Sequence, residues 1–172
     1  MALTQSNRPT CLIFSRQALP TLDRSLTRPA SGTQRGAYVL TLETAEPDIL
    51  LLASGSEVSL ALAAARRLSQ TGIKARVISM PAWSVFEEQD EAYKEEVLPR
   101  HIKARLAIEQ AASFGWDRYV GLEGDTVTMH SFGSSAPIAK LQEKFGFTID
   151  HVCERATGLL TRLRGARKES QT

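Results

Sequence analysis

Ile49-Leu50-Leu51-Leu52-Ala53-Ser54-Gly55-Ser56-Glu57-Val58 is the stretch that decides the fold class. Five consecutive apolar residues make a strand that needs cover on both faces, as in a parallel sheet flanked by helices. The polar turn that follows leads into a helix. Ser54 and Glu57 stand at capping-box spacing, with the serine oxygen expected to accept a backbone N–H and Glu57 to reach back. Val58, Ala61, Leu62, Ala65 and Leu68 then recur on one helical face, and Gly72 supplies the left-handed residue that ends the helix. Ala75-Arg76-Val77-Ile78-Ser79-Met80 returns as a strand, stopped by Pro81. Strand, helix and strand in that order form a crossover unit of an α/β sheet.

Working outward, Tyr38 to Leu42 has strand character, and Glu46-Pro47-Asp48 makes a turn. Leu22 to Arg35 is rich in Thr, Arg, Ser, Pro and Gly and reads as an extended connector. Ser84 to Val97 carries six carboxylates, and short helices broken near Gln89-Asp90 are expected there. Ala104 to Glu109 is a further strand, Ser113 to Trp116 a helical turn and Gly121 to Asp125 a loop. Ser134-Ser135-Ala136-Pro137 opens a helix with an inward stripe of Ile138, Leu141 and Phe145, ended by Gly146. Thr148 caps a last helix facing inward through Val152, Ala156, Leu159, Leu160 and Leu163, with a frayed polar end beyond Arg164. The expected fold is α/β, a three-layer sandwich with a mostly parallel sheet.

Composition excludes several function classes. The 172 residues are 42% hydrophobic and carry a formal charge of +2, values ordinary for one globular domain with a short appendage. No apolar run approaches the roughly 18 residues of a membrane span. The polar stretch from Met1 to Pro9 lacks the apolar core of a secretory signal, so the expected compartment is cytoplasmic. Five arginines stand against Asp23 within residues 1–36, and four arginines and Lys168 stand against Glu169 within 155–172. That basic excess lies in a connector and a tail, without the aromatic-studded face of a nucleic-acid module. Cys11 and Cys153 are far apart, share no Cys-x-x-Cys spacing, and are expected as small buried residues.

Few constellations suggest chemistry. The Ser54-Gly55-Ser56 turn, where a strand feeds a helix, could bind an anion, but Glu57 competes for the same amides and structural capping accounts for it better. There is no G-x-G-x-x-G, no Walker lysine motif and no G-x-S-x-G elbow. His101, His130 and His151 are scattered, without the i,i+4 pairing of a zinc helix. The acidic run from Ser84 to Val97 lacks the ligand alternation and central glycine of a calcium loop and reads as a solvated face. Near the start, Cys11-Leu12-Ile13-Phe14 has the character of a short buried strand ending at Ser15-Arg16-Gln17. A guanidinium beyond a strand end can grip a phosphate through paired hydrogen bonds, and it can equally be a solvated arginine.

The ordered set of local sequences resembles one family. Ser15-Arg16-Gln17 followed by Leu19-Pro20-Thr21-Leu22-Asp23-Arg24 resembles the transketolase junction between the pyrimidine-binding and C-terminal domains. Gly36 to Leu40, Ala53 to Val58, Gln89 to Tyr93 with Val97-Leu98-Pro99, Phe132 to Pro137 and Phe145 to Thr148 extend the resemblance over about residues 9 to 164. It implies residues 1–21 as the last strand of a pyrimidine-binding domain, 22–36 as linker, 37–165 as C-terminal domain and 166–172 as flexible tail. The implied function is the C-terminal part or subunit of a transferase moving a two-carbon ketol unit between sugar phosphates, in the pentose phosphate pathway. Thiamine diphosphate and Mg2+ would serve the complete enzyme and would not be bound by this chain alone.

The resemblance puts no catalytic, cofactor-binding or metal-binding residue in this sequence. Gly124-Asp125-Thr126 departs from the Gly-Asp-Gly diphosphate motif, and no Asn follows Asn7. Only Arg16 matches a family site residue, the arginine contacting the substrate phosphate. The expected partners are amino-terminal transketolase domains or a subunit carrying them, in a homo-oligomer, and the isolated chain is expected to be inactive. Two other readings stand beside this one. The chain could be a stand-alone ligand-binding or regulatory α/β module using the Ser54–Glu57 turn, or the equivalent domain of another thiamine-diphosphate enzyme.

Overall fold

The computed structural model describes Asn7, residues 9–42 and residues 45–169. Five strands form one sheet: β1 (Tyr38–Val39), β2 (Ile49–Ala53), β3 (Ala75–Ser79), β4 (Arg105–Ala112) and β5 (Asp125–Met129). Their order is β1-β3-β2-β4-β5; β1 runs antiparallel to β3 and every other pairing is parallel. β2 is central and wholly buried, as its unbroken apolar run requires.

The two faces of β2 separate the two halves of the core. Ile49, Leu51 and Ala53 pack toward α1 (Glu57–Ser69) and α6 (Ile149–Glu169). Leu50 and Leu52 pack on the opposite face toward α2 (Trp83–Glu87), α3 (Glu91–Val97) and α4 (Asp117–Val120). The result is the expected three-layer α/β sandwich. α1 begins three residues after the expected serine and ends before Gly72, whose φ of 80° provides the reversal. The break near Gln89-Asp90 is present: the Asp90 carboxylate accepts the Tyr93 N–H at 2.7 Å and caps α3.

The second face is built around aromatics. Trp116 is 1% exposed and meets Trp83 edge-on at 4.7 Å, with Tyr119 packed against both. The connector folds onto this layer through a 3-10 helix at Ala30–Arg35. Gly36 follows at φ 84°, where an added Cβ would lie 2.3 Å from the Phe86 nitrogen, so only glycine fits. Arg35 lies over the Tyr93 ring at 3.2 Å, and the Tyr93 hydroxyl donates to the fully buried Ala37 carbonyl at 2.8 Å. Removing that hydroxyl in Tyr93→Phe is expected to cost about 1–2 kcal/mol, because the carbonyl is left buried and unpaired. A thermal midpoint unchanged within a degree would refute this anchoring of the connector.

Several expectations are corrected. Cys11-Leu12-Ile13-Phe14 is not a strand here: it is irregular and exposed, and no described residue offers it a ladder of hydrogen bonds. Cys11 is accordingly exposed, while Cys153 is half-buried between α1 and α6, with its sulfur 3.6 Å from the Ala64 carbonyl. Asp125, the last residue of the expected Gly121–Asp125 loop, opens an edge strand that was not expected, β5 (Asp125–Met129); its Thr-Val-Thr alternation is short, and only Val127 and Thr128 are buried. The stripe of α5 (Ile138–Phe145) is only half-covered, and Ile138 is exposed. α6 continues helical to Glu169, carried by good helix formers rather than fraying after Arg164, and residues 170–172 lie outside the described residues.

Candidate functional site at the carboxyl edge of the sheet

From β2 the chain crosses through α1 to β3 on one side, then returns to β4 on the other. The carboxyl ends of β2 and β4 therefore flank the point where strand order reverses, the place where open α/β sheets bind ligands. The groups there are Ser54, Gly55, Ser56 and Glu57 after β2, and Glu109 and Gln110 within β4.

The expected capping box is not formed. No side chain caps α1, and Ser56 rather than Ser54 holds the cap position. Ser54 instead donates its hydroxyl to Glu109 Oε2 at 2.6 Å, across the sheet. Glu57, 3% exposed, accepts the Ser56 hydroxyl at 2.6 Å, and its other oxygen lies 3.4 Å from the Gln110 amide. Tertiary contacts replace the box: once β4 closes beside the turn, Ser54 donates to Glu109 and the Gln110 amide approaches Glu57, which also keeps its neighbour Ser56. Burial pushes the Glu109 carboxyl above its ordinary value, partly offset by the Ser54 hydrogen bond and reinforced by the facing Glu57. Two carboxyls fill the crevice that an anion would need, so its amides do not form a phosphate cradle. Sequence reasoning missed Glu109, whose only signal was an acidic residue closing an apolar strand.

The other candidates lie apart. Arg16 sits in the exposed amino-terminal segment and makes no hydrogen bond or ion pair with a described residue. His101 pairs with Glu46, His151 lies 3.5 Å from Glu154, and His130 is exposed in the loop after β5. Both Asp125 oxygens are held by Arg155, at 2.6 and 3.0 Å, tying α6 to β5. No group of three His, Cys, Asp or Glu side chains that could hold a metal ion occurs among the described residues. The donor set among the described residues does not fit a metal-bound diphosphate. A cleft of about 430 Å3 opens beside the outer edge of β3, with Leu62, Ala65, Ile73 and Ala75 among its walls. Residues 43 and 44, which adjoin it in sequence, lie outside the described residues.

Exposed large apolar side chains include two groups that bear on the site. Phe114, beyond β4, and Phe132, beyond β5, are 92% and 99% exposed at the carboxyl edge. Leu12, Ile13 and Phe14 are exposed beside Arg16. Among the described residues no helix is long and apolar enough to cross a membrane.

This sandwich, with one antiparallel edge strand on an otherwise parallel sheet, defines a three-layer α/β domain. Residues 36–148 match the family model of the transketolase-like TK C-terminal domain. The transketolase of Halalkalibacterium halodurans is 52% identical over 160 residues, which are 93% of this chain and 24% of that protein. The transketolase of Bacillus subtilis is 43% identical over 163 residues, again 24% of its length. Among solved structures, a Pichia stipitis transketolase in complex with sedoheptulose-7-phosphate superposes with a TM-score of 0.79 at 35% identity, over 87% of this chain and 21% of that one. A split-gene transketolase described as an inactive beta4 tetramer shares the fold, with a TM-score of 0.63 at 24% identity, over 85% of this chain and 48% of that one. The chain belongs to the transketolase family and corresponds to the C-terminal part of its members. It spans about a quarter of the length of the curated relatives it matches.

Proposed function

We infer that the chain acts as the C-terminal part, or a separate subunit, of a transketolase that transfers a two-carbon ketol unit between sugar phosphates. The observation that carries this reading is the apolar Leu12-Ile13-Phe14 segment, exposed and without a strand partner among the described residues, beside Arg16, in a chain otherwise matched along its length to transketolases. Such a segment gains its hydrogen-bond partners only by joining another sheet. On this reading residues 1–21 complete a pyrimidine-binding domain, 22–36 link, 37–165 form the C-terminal domain and 166–172 are a tail. The exposed Phe114 and Phe132 edge supports an interface within a cytoplasmic homo-oligomer.

Thiamine diphosphate and its metal would be held by the partner domains, where the former supplies carbanion stabilisation. The role of this chain is to bury the interface and to present Arg16 to the substrate phosphate, holding the sugar in register. The split-gene relative described as an inactive beta4 tetramer supports a subunit of this kind being silent by itself. The test is reconstitution. The chain is mixed with a protein covering the preceding three-quarters of the Bacillus subtilis relative, and ketol transfer is assayed with thiamine diphosphate and Mg2+. Activity is expected only in the mixture, and a mixture as inactive as its parts would sink the proposal.

A further inference from the structure

We propose that the cleft beside the outer edge of β3 binds a small organic phosphate, its apolar body against α1 and its charged end on Arg66, Lys74 and Arg76. The site is built by residues of this chain and does not depend on which enzyme the chain serves.

The arginines of the folded domain single this cleft out. Twelve of them lie from Arg24 to Arg164. Ten place the guanidinium on a carboxylate, a carbonyl or an amide oxygen, as Arg67 does on Asp150, Arg118 on Glu87 and Arg155 on Asp125. Arg66 and Arg76 have no such partner among the described residues, and both line the same cleft. Lys74 lines it too, with an ammonium that bonds no described residue. The Nε of Arg76 is buried without an acceptor. A buried donor left in that state costs stability and is rare in a folded protein, and an anionic oxygen in the cleft would satisfy it.

Nothing described in the cleft competes for these cations. No carboxylate lines it among the described residues, and the Asp23 carboxylate, in the field of Arg66, is held by Ser25. The carbonyls at the end of α1, which would repel an anion, are occupied: Arg66 accepts the Ser69 hydroxyl, while Arg67, Leu68 and Ser69 accept from Gln70, Thr71 and Gly72. The cleft lies at the amino end of β3, at the opposite end of the sheet from the Glu109 crevice.

Walls and cations together define the ligand. Leu62, Ala65 and Ile73 give apolar cover, and about 430 Å3 is the size of a small-molecule site. Apolar walls alone would suit a neutral molecule, and arginines on an open surface an inorganic ion. The combination suits a phosphate ester, whose dianion matches the guanidinium fork.

The full chain is titrated at low salt with 1-naphthyl phosphate, and the amide resonances are followed by NMR. Saturable shifts are expected at residues 62–76, with inorganic phosphate alone and 1-naphthol alone each binding at least about tenfold more weakly. Arg66→Gln and Arg76→Met should each weaken the probe about tenfold, the loss of one charge-assisted contact. Without the probe, Arg76→Met should keep the thermal midpoint within about 2 °C, because it removes a donor that has no acceptor. With the probe at about a hundredfold excess over its dissociation constant, the wild-type midpoint should rise by about 5–10 °C. Arg66→Gln, at an exposed position, carries the test alone if Arg76→Met fails to fold. Three results would overturn the site: no saturation by about 10 mM, shifts confined to Leu12–Phe14 or Phe114, or variants that bind the probe as wild type does.

Discussion

Replacing Arg105 with methionine is expected to destabilise the chain by about 3 kcal/mol, or to prevent folding. Arg105 opens β4, and its guanidinium donates to four backbone carbonyls: Ile102 at 2.9 Å, Tyr119 at 2.8 Å, Leu98 at 3.2 Å and Pro99 at 2.8 Å. These carbonyls belong to the end of α3, the loop into β4 and the end of α4, so one side chain ties three segments to the sheet. Burial pulls the Arg105 value down, yet the group stays charged, because an arginine is protonated far above neutral pH. Methionine keeps most of the stem's packing and removes every donor, leaving the carbonyls short of partners. At 2–4 °C per kcal/mol for a chain of this length, the midpoint should drop by about 6–12 °C in a calorimetric scan. Lysine should restore less than half of the loss, since its point charge cannot span the four acceptors. A methionine variant within 1 kcal/mol of wild type would show that the carbonyls are satisfied by water and that the staple is incidental.

The second large effect concerns Arg16 in the reconstituted enzyme. With the phosphate role proposed for it, Arg16→Ala should raise KM for a ketose phosphate donor by about 10–100-fold, with kcat within about threefold. The expectation is that the guanidinium–phosphate contact is made alike in ground state and transition state, so that its loss removes uniform binding. A donor lacking the phosphate should be used equally well by both proteins. Arg16→Lys should recover only part of the affinity, because the bidentate fork is lost. An unchanged KM for the phosphorylated donor would remove Arg16 from the site. The fold of the isolated chain should be indifferent to either substitution, as Arg16 is exposed and touches no described partner.

The fold was legible wherever one segment carried its own instruction. The unbroken Ile49–Ala53 run specified a central strand, the apolar spacing from Val58 to Leu68 specified α1, and the break near Gln89-Asp90 separated two short helices. β5 was not legible, because Asp125–Met129 is a polar-alternating edge strand whose identity depends on pairing with β4. The capping box failed for the same reason: Ser54 and Glu57 could bond each other's backbone in an isolated turn, but β4 brings Glu109 and Gln110 within reach and captures both side chains. The amino-terminal strand failed in the opposite sense. Its apolar pattern is strand-like, and no described residue pairs with it.

The sequence by itself determined the α/β class, the central strand, the two apolar helix stripes and the membership of the transketolase family. Each of these follows from short-range periodicity or from an ordered set of local motifs. Only the tertiary structure decided that Glu57 and Glu109 share one crevice, that Arg105 gathers four carbonyls and that Phe114 and Phe132 stand exposed at one edge. The first of those facts joins residues more than fifty positions apart, through a strand order in which β2 lies between β3 and β4. A hydrogen bond or a carboxyl repulsion acts over a few ångströms, so which groups feel it is settled when the sheet assembles.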